Sequence, residues 1–169
     1  MEKTNIVLIG MPGSGKSTVG VLLAKVLGYD FLDTDLLIQR REGCTLEEII
    51  RRKGIDTFLD IEGEVCAGLC PENTVVATGG SVIYRELAME RLKARGRLVY
   101  LQVELDELTR RLSDLVGRGV ALRDGQTLAD LYAERTVLYE RWADVTVPEG
   151  DMTLEETVAA AAKAVTAGR

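Results

Sequence analysis

The chain predicts an α/β fold: a five-stranded parallel sheet flanked by helices on both faces, in one domain spanning 1–169. Three observations predict it. Short apolar runs alternate with longer stretches of helical period, the order expected of strands joined by crossover helices. The first run, NIVLI at 5–9, is continuously apolar, as a strand covered on both faces must be. No repeat, low-complexity tract or Pro- or Ser-rich linker divides the 169 residues, and at 46% hydrophobic they can bury one ordinary core.

The elements follow in order. STVGVLLAKVLG at 17–28 is a helix apolar nearly all round, stopped by Gly28. YDFLD at 29–33 reads as the second strand, and a short helix follows over 36–42. TLEEIIRRKG at 45–54 opens with Thr45 and carries Glu48 three residues later, the spacing of a capping box. IDTFLDIEGEVCAGL at 55–69 sets Ile55, Phe58, Leu59, Val65, Cys66 and Leu69 at helical spacing. TVVAT at 74–78 is a strand running into Gly79 and Gly80. ELAMERLKARG at 86–96 is a helix with a glycine stop, and RLVYLQV at 97–103 a strand. DELTRRLSDL at 106–115 and TLADLYAERTVLYERW at 127–142 are helices. DVTV at 144–147 is the last strand, and TLEETVAAAAKAV at 153–165 a capped terminal helix. VGRGVALRDGQ at 116–126 stands apart, with three glycines, two arginines and little periodicity. It is a candidate mobile loop between two helices.

Composition excludes several classes of function. The formal net charge is -6, which argues against an extended basic surface for nucleic acid. No apolar run approaches the ~20 residues that span a bilayer, and the N-terminus lacks the pattern of a secretory signal. The three cysteines, Cys44, Cys66 and Cys70, suit reduced thiols of a cytoplasmic protein and read as small apolar core residues; with no histidine in the chain, they do not suggest a metal site.

The motif of greatest chemical content is Gly10-Met11-Pro12-Gly13-Ser14-Gly15-Lys16-Ser17, followed by Thr18. It fits G-x-x-x-x-G-K-[ST], with a strand before it and a helix after it. Glycines let successive N–H groups point inward, at a helix end where the dipole is positive. Gly13, Ser14, Gly15, Lys16, Ser17 and Thr18 are therefore candidate nucleotide contacts, and the fold is of P-loop NTPase type. Lys16 supplies a mobile charge for the terminal phosphates, and Ser17 a hydroxyl ligand for Mg2+. No N-K-x-D segment for reading guanine is present, and the chain is short for an oligomeric ATPase. A kinase of a small molecule, using ATP, is the expected use.

An acceptor side is also legible. Asp33 and Asp35 close the second strand, and open α/β sheets bind ligands beyond the carboxyl ends of their strands. Asp33 is assigned to the magnesium shell and Asp35 to the acceptor hydroxyl, with a helix N-cap as the structural alternative for Asp35. Glu62 falls inside an apolar stripe, where a carboxylate needs an arginine or the substrate as partner. Gly79 and Gly80 allow close approach of backbone to a ligand. Arg110, Arg111, Arg118, Arg123 and Arg135 gather late in an acidic chain, and Arg118 sits in the loop at 116–126, placed to swing over the transferring phosphate.

With GMPGSGKSTVG, FLDTD, TFLDIEGEV, ATGGSVI and ERTVLYERWADVTV in this order, the chain resembles the shikimate kinase family over nearly its whole length. The resemblance implies ATP-dependent phosphorylation of a shikimate hydroxyl in the shikimate pathway, with an acceptor-binding helical region over about 34–70. It implies that Asp35 contacts the acceptor, Gly80 lends backbone to it, Arg135 pairs its carboxylate, Arg111 lies against adenine and Arg118 is the lid arginine. The family pattern places a carboxylate-gripping arginine where this chain has Leu59, and R-P-L-L in the lid where this chain has RGVA. Arg123 is the candidate to replace the missing charge. The alternatives are another small hydroxylated acid as acceptor, gluconate-like or a hydroxy amino acid, or a nucleotide-binding regulatory module. A monomer is expected.

Overall fold

The computed structural model describes residues 4–113 and 120–167. In chain order the elements are β1 (Asn5–Ile9), α1 (Lys16–Leu27), β2 (Asp30–Asp33), α2 (Thr34–Glu42), α3 (Leu46–Lys53), α4 (Ile55–Gly68), β3 (Thr74–Ala77), α5 (Glu86–Arg95), β4 (Gly96–Gln102), α6 (Leu105–Ser113), α7 (Leu128–Trp142), β5 (Val145–Pro148) and α8 (Leu154–Thr166). A single 3-10 turn at Val82–Tyr84, not expected from the sequence, precedes α5.

All strand pairs are parallel, in the order β2-β3-β1-β4-β5. Every residue of β1 is buried, as its unbroken apolar run requires. Successive side chains leave the sheet on opposite faces. Val7, Ile9, Val76, Leu98 and Tyr100 therefore enter one core layer, with Met89, Leu92, Leu131 and Tyr139. Ile6, Leu8, Val75, Val99 and Leu101 enter the other, with Leu23, Ala24, Val158 and Ala161. A third cluster, Ile38, Ile49, Phe58, Leu59 and Ile61, packs α2, α3 and α4 together beside the sheet.

Local chemistry sets the boundaries. The capping box of Thr45 and Glu48 forms, and equivalent boxes open α7 at Thr127 and α8 at Thr153. Gly28 ends α1 in the left-handed region with φ +70°. Gly96 stops α5 as expected, its N–H donating to Leu92 O, and it also opens β4, where it pairs with Asn5 of β1. A Cβ there would lie 2.9 Å from Val7 Cγ2, so the close strand pairing explains the glycine. The cysteines also divide. Cys66 is buried in the core, Cys44 is half-buried and Cys70 is exposed, so Cys70 is not the core residue expected; all three are free. No helix among the described residues is long and apolar enough to cross a membrane.

One buried amide joins the sheet at its upstream edge. Asn5 is 2% exposed. Its Nδ2 donates to Pro71 O at 2.7 Å and Arg95 O at 3.2 Å, and its Oδ1 accepts from Thr74 N at 3.0 Å. It thus ties the starts of β1 and β3 to the end of α5. Replacing Asn5 by leucine leaves these main-chain groups without partners. The expected cost is about 2–4 kcal/mol in urea unfolding, with nucleotide affinity unchanged because the site lies at the opposite sheet edge; a loss below about 0.5 kcal/mol contradicts this role.

Candidate active site

The loop after β1 turns at the N-terminus of α1. Gly15 caps that helix with φ +80°, a conformation that directs the loop's N–H groups inward and that L side chains rarely adopt. Lys16 folds back over the loop: Nζ donates to Gly10 O and Met11 O, both at 2.8 Å, and to Ser14 Oγ at 3.4 Å. Burial pushes its ammonium down to about 8, and neighbouring Asp35 opposes that shift. Ser17 Oγ donates to Asp33 Oδ2 at 2.5 Å.

Asp33, rather than Asp35, caps α2: its Oδ1 accepts from Asp35 N at 2.9 Å and Leu36 N at 3.4 Å. Asp35 is thereby free of the capping role considered for it. Its Oδ1 is buried with no hydrogen-bond partner, and burial, then the charge of Asp33, raises its carboxyl to about 6.

Glu62, from α4, is fully buried. Its hydrogen-bond partner among the described residues is Ser81 rather than an arginine: Oε2 accepts from Ser81 Oγ at 2.5 Å, while Oε1 has no partner among them. Burial raises this carboxyl to about 7, against the opposing bond from Ser81 and the charges of Arg135 and Lys16. Gly79 makes the packing possible. A Cβ there would lie 1.9 Å from Glu62 Oε1 and 2.9 Å from Asp35 Oδ1. Both carboxylates therefore crowd one side-chain-free point of backbone. Thr34 Oγ1 accepts from Gly79 N at 3.1 Å, and Gly80 O accepts from Tyr139 Oη at 2.5 Å, which fixes the turn.

Arg135, from α7, is 1% exposed. Its Nε donates to Tyr84 Oη at 3.3 Å and its Nη2 to Ala121 O at 3.2 Å; it joins no ion pair among the described residues. Arg111, from α6, sits at the other end: it donates to Gly13 O at 3.3 Å, Glu107 at 2.7 Å and Glu149 at 3.0 Å.

One cavity of about 500 Å³ unites these groups, lined by the phosphate loop, Asp35, Glu62, Gly79, Gly80, Arg111 and Arg135. Val120 and Ala121, the first described residues of the expected lid, lie on its wall. Arg118 lies outside the described residues. The two positions tied to the acceptor's second charge lie beside a second, smaller cavity that Arg135 also lines. Leu59 packs in the α2–α4 cluster and faces a smaller cavity of about 170 Å³ rather than the large one. Arg123 lines the smaller cavity too, paired with Asp56 at 3.0 Å, so its charge is spent on an exposed acid.

Four contributors were missed from sequence. Thr34 and Ser81 stood inside motifs already singled out, DTD and TGGS, but a hydroxyl there gives no sign of which buried group it serves. Tyr139 read as part of a helix face. Glu149 lies immediately beyond a strand's carboxyl end, the rule that found Asp33, and that rule applied to the last strand would have found it.

Main-chain donors for phosphate and a buried carboxylate for an alcohol share one cavity, which is the arrangement of a P-loop phosphotransferase with an alcohol acceptor. Comparison with known proteins narrows this class. Residues 12–166 match the family model for shikimate kinase, and the chain belongs to the shikimate kinase family. It is 41% identical over 144 residues to a shikimate kinase of Clostridium botulinum, covering 81% of this chain and 83% of that protein. Among solved structures, it resembles a shikimate kinase from Acinetobacter baumannii in complex with shikimate, with TM-score 0.89, 30% identity and coverage of 98% and 94%. It also resembles the shikimate kinase of Aquifex aeolicus, with TM-score 0.81, 33% identity and 97% of each chain covered.

The packing generates two tests. Gly79→Ala forces Glu62 and Asp35 aside and is expected to lower acceptor turnover by roughly 10²-fold or more, with ATP affinity by calorimetry unchanged. Turnover retained in that variant contradicts the shared contact. The second concerns pH. Because the folded state holds the Glu62 proton up to about 7 against 4.5 for the free side chain, stability falls as pH rises across that window. The loss reaches at most about 3 kcal/mol. Urea midpoints of Glu62→Gln are expected to fall less between pH 5 and pH 8 than those of the parent; parallel curves contradict the assignment.

Proposed function

We propose that this chain transfers the terminal phosphoryl group of ATP to a hydroxyl of shikimate, as a cytoplasmic, magnesium-dependent monomer. The observation that carries the reading is the cavity itself: the phosphate loop forms one wall, and Asp35 and Arg135, which joins no ion pair among the described residues, stand on the acceptor side. An alcohol that also bears a carboxylate meets both of these groups.

In this reading Gly13, Ser14, Gly15, Lys16, Ser17 and Thr18 hold the phosphates, and Arg111 flanks the nucleoside. Lys16 exchanges its bonds to Gly10 and Met11 for the terminal phosphates. Asp35 accepts the hydroxyl proton and aims the oxygen at phosphorus, helped by a carboxyl raised toward neutrality. Arg135 takes the carboxylate, Gly79 and Gly80 form the turn beneath the substrate, and Glu62 lines its pocket within the helical region 34–70. Arg118 closes with the 116–126 lid and neutralises charge on the transferring group. The Ser17 hydroxyl and the Asp33 carboxylate lie together at the loop, the oxygen donors a hard cation takes. They would hold Mg2+, which when bound neutralises phosphate charge.

A second reading, in which the acceptor is another small hydroxylated acid, is favoured by Leu59, which stands where the family pattern has a carboxylate-gripping arginine, and by the pairing of Arg123, the candidate replacement, with Asp56. Following ADP release with shikimate, gluconate and hydroxy amino acids separates the two: the first reading expects selectivity for shikimate, and the second expects turnover with a different acid. Asp35→Asn is expected to lose roughly 10²–10⁴-fold in kcat while binding ATP normally. ATP binding without acceptor-dependent ADP release in the parent protein would indicate a nucleotide-binding regulatory module instead.

A further inference from the structure

Beyond β5, at the end of the cavity away from the acceptor wall, the chain buries an acid that the chemistry above does not use. Glu149 is 5% exposed and lines the large cavity. One oxygen, Oε2, accepts from Arg111 Nη2 at 3.0 Å. The other, Oε1, is buried with no hydrogen-bond partner among the described residues. The residue is held in place: its N–H donates to Gln102 O at 2.9 Å, and its carbonyl accepts from Met152 N at 2.8 Å. Arg111 is itself fastened to Gly13 O and Glu107. The carboxylate therefore cannot turn to water without breaking an ion pair, and an unpaired buried acceptor is costly.

Its surroundings indicate what supplies the missing donor. Met152, Leu154, Thr157 and Thr18 line the same end of the cavity, a partly apolar slot with the Arg111 guanidinium beside it. Triphosphate on the loop leaves the nucleoside two directions. Asp35, Glu62 and Arg135 occupy one, so the base extends into the other. A carboxylate oxygen only accepts hydrogen bonds. The 6-amino group of adenine donates, whereas hypoxanthine and guanine carry an acceptor oxygen at that position.

We propose that Glu149 is a specificity-determining residue that selects adenine nucleotides by accepting a hydrogen bond from the 6-amino group of the base. This rests on the reading of the chain as a kinase that binds a nucleoside triphosphate on the loop. Arg111 has two parts here: it flanks the base and fixes the Glu149 side chain so that Oε1 is the oxygen left over.

The test compares kcat/KM for ATP, inosine triphosphate and purine riboside triphosphate, which has only hydrogen at position 6, at one fixed acceptor concentration. The parent protein is expected to prefer ATP over both by roughly ten- to a hundredfold. In Glu149→Gln, Arg111 still demands an oxygen, so the amide nitrogen takes the place of Oε1 and becomes a donor. The ATP-to-inosine ratio is expected to fall by roughly tenfold or more, with the melting temperature close to that of the parent. A purely structural role would weaken all three nucleotides together and leave the ratio unchanged, which overturns the proposal. Equal use of ATP and inosine triphosphate by the parent also overturns it and requires no variant. Absence of turnover with every nucleotide overturns the kinase reading and this assignment with it, whereas normal ATP turnover with an unchanged ratio overturns the assignment alone.

Discussion

The bond pattern of Lys16 is the interaction on which the site depends. A buried ammonium in an apolar setting is costly unless several oxygens surround it. Here the carbonyls of Gly10 and Met11 and the Ser14 hydroxyl do so, which closes the loop around its own lysine. Phosphate oxygens offer the same ammonium a charged alternative. The loop is thus held closed around its lysine, and in the proposed reading little of the binding energy goes to ordering it.

The acceptor end is organised by a comparable constraint of opposite sign. Asp35 and Glu62 come from different helices, α2 and α4, and meet at the side-chain-free surface of Gly79. Burial raises both carboxyls; the charge of Asp33 adds to the shift of Asp35 and the charge of Asp35 to that of Glu62, while Lys16 opposes both and Arg135 opposes that of Glu62. A polar network of this kind is stable only when nearly all members are satisfied. Ser81, Thr34 and Tyr139 supply the bonds that keep the turn at 79–81 in place. At this end the two oxygens left without partners among the described residues, Asp35 Oδ1 and Glu62 Oε1, belong to residues that line the cavity.

Arg135 links this end to the described part of the lid. It donates to the Ala121 carbonyl and to Tyr84, and lies over the Tyr84 ring with 5.3 Å between guanidinium carbon and ring centre. Ala121 also packs into the α2–α4 cluster. In the proposed reading, the Arg135 bond to Ala121 joins the segment around Ala121 to the guanidinium that takes the acceptor's carboxylate.

By itself the sequence determined the class of fold, the strand and helix order and the phosphate loop, because those rest on local periodicity, glycine conformations and motif spacing within a few residues. Asp35 and the glycine pair stood out for a related reason, that strand ends in a parallel sheet converge on one edge, whereas Arg135, within a helix, was singled out through the family resemblance. Tertiary structure decided what depends on distances between elements. Leu59 and Arg123 both face the smaller cavity, and neither helical spacing nor loop composition shows which side of α4 a neighbouring segment covers. Ser81 as the partner of Glu62, and Glu149 as the partner of Arg111, join residues 19 and 38 positions apart. Such pairings are set by how layers stack and how buried charges find donors, and those energies exist only once the chain has closed around them.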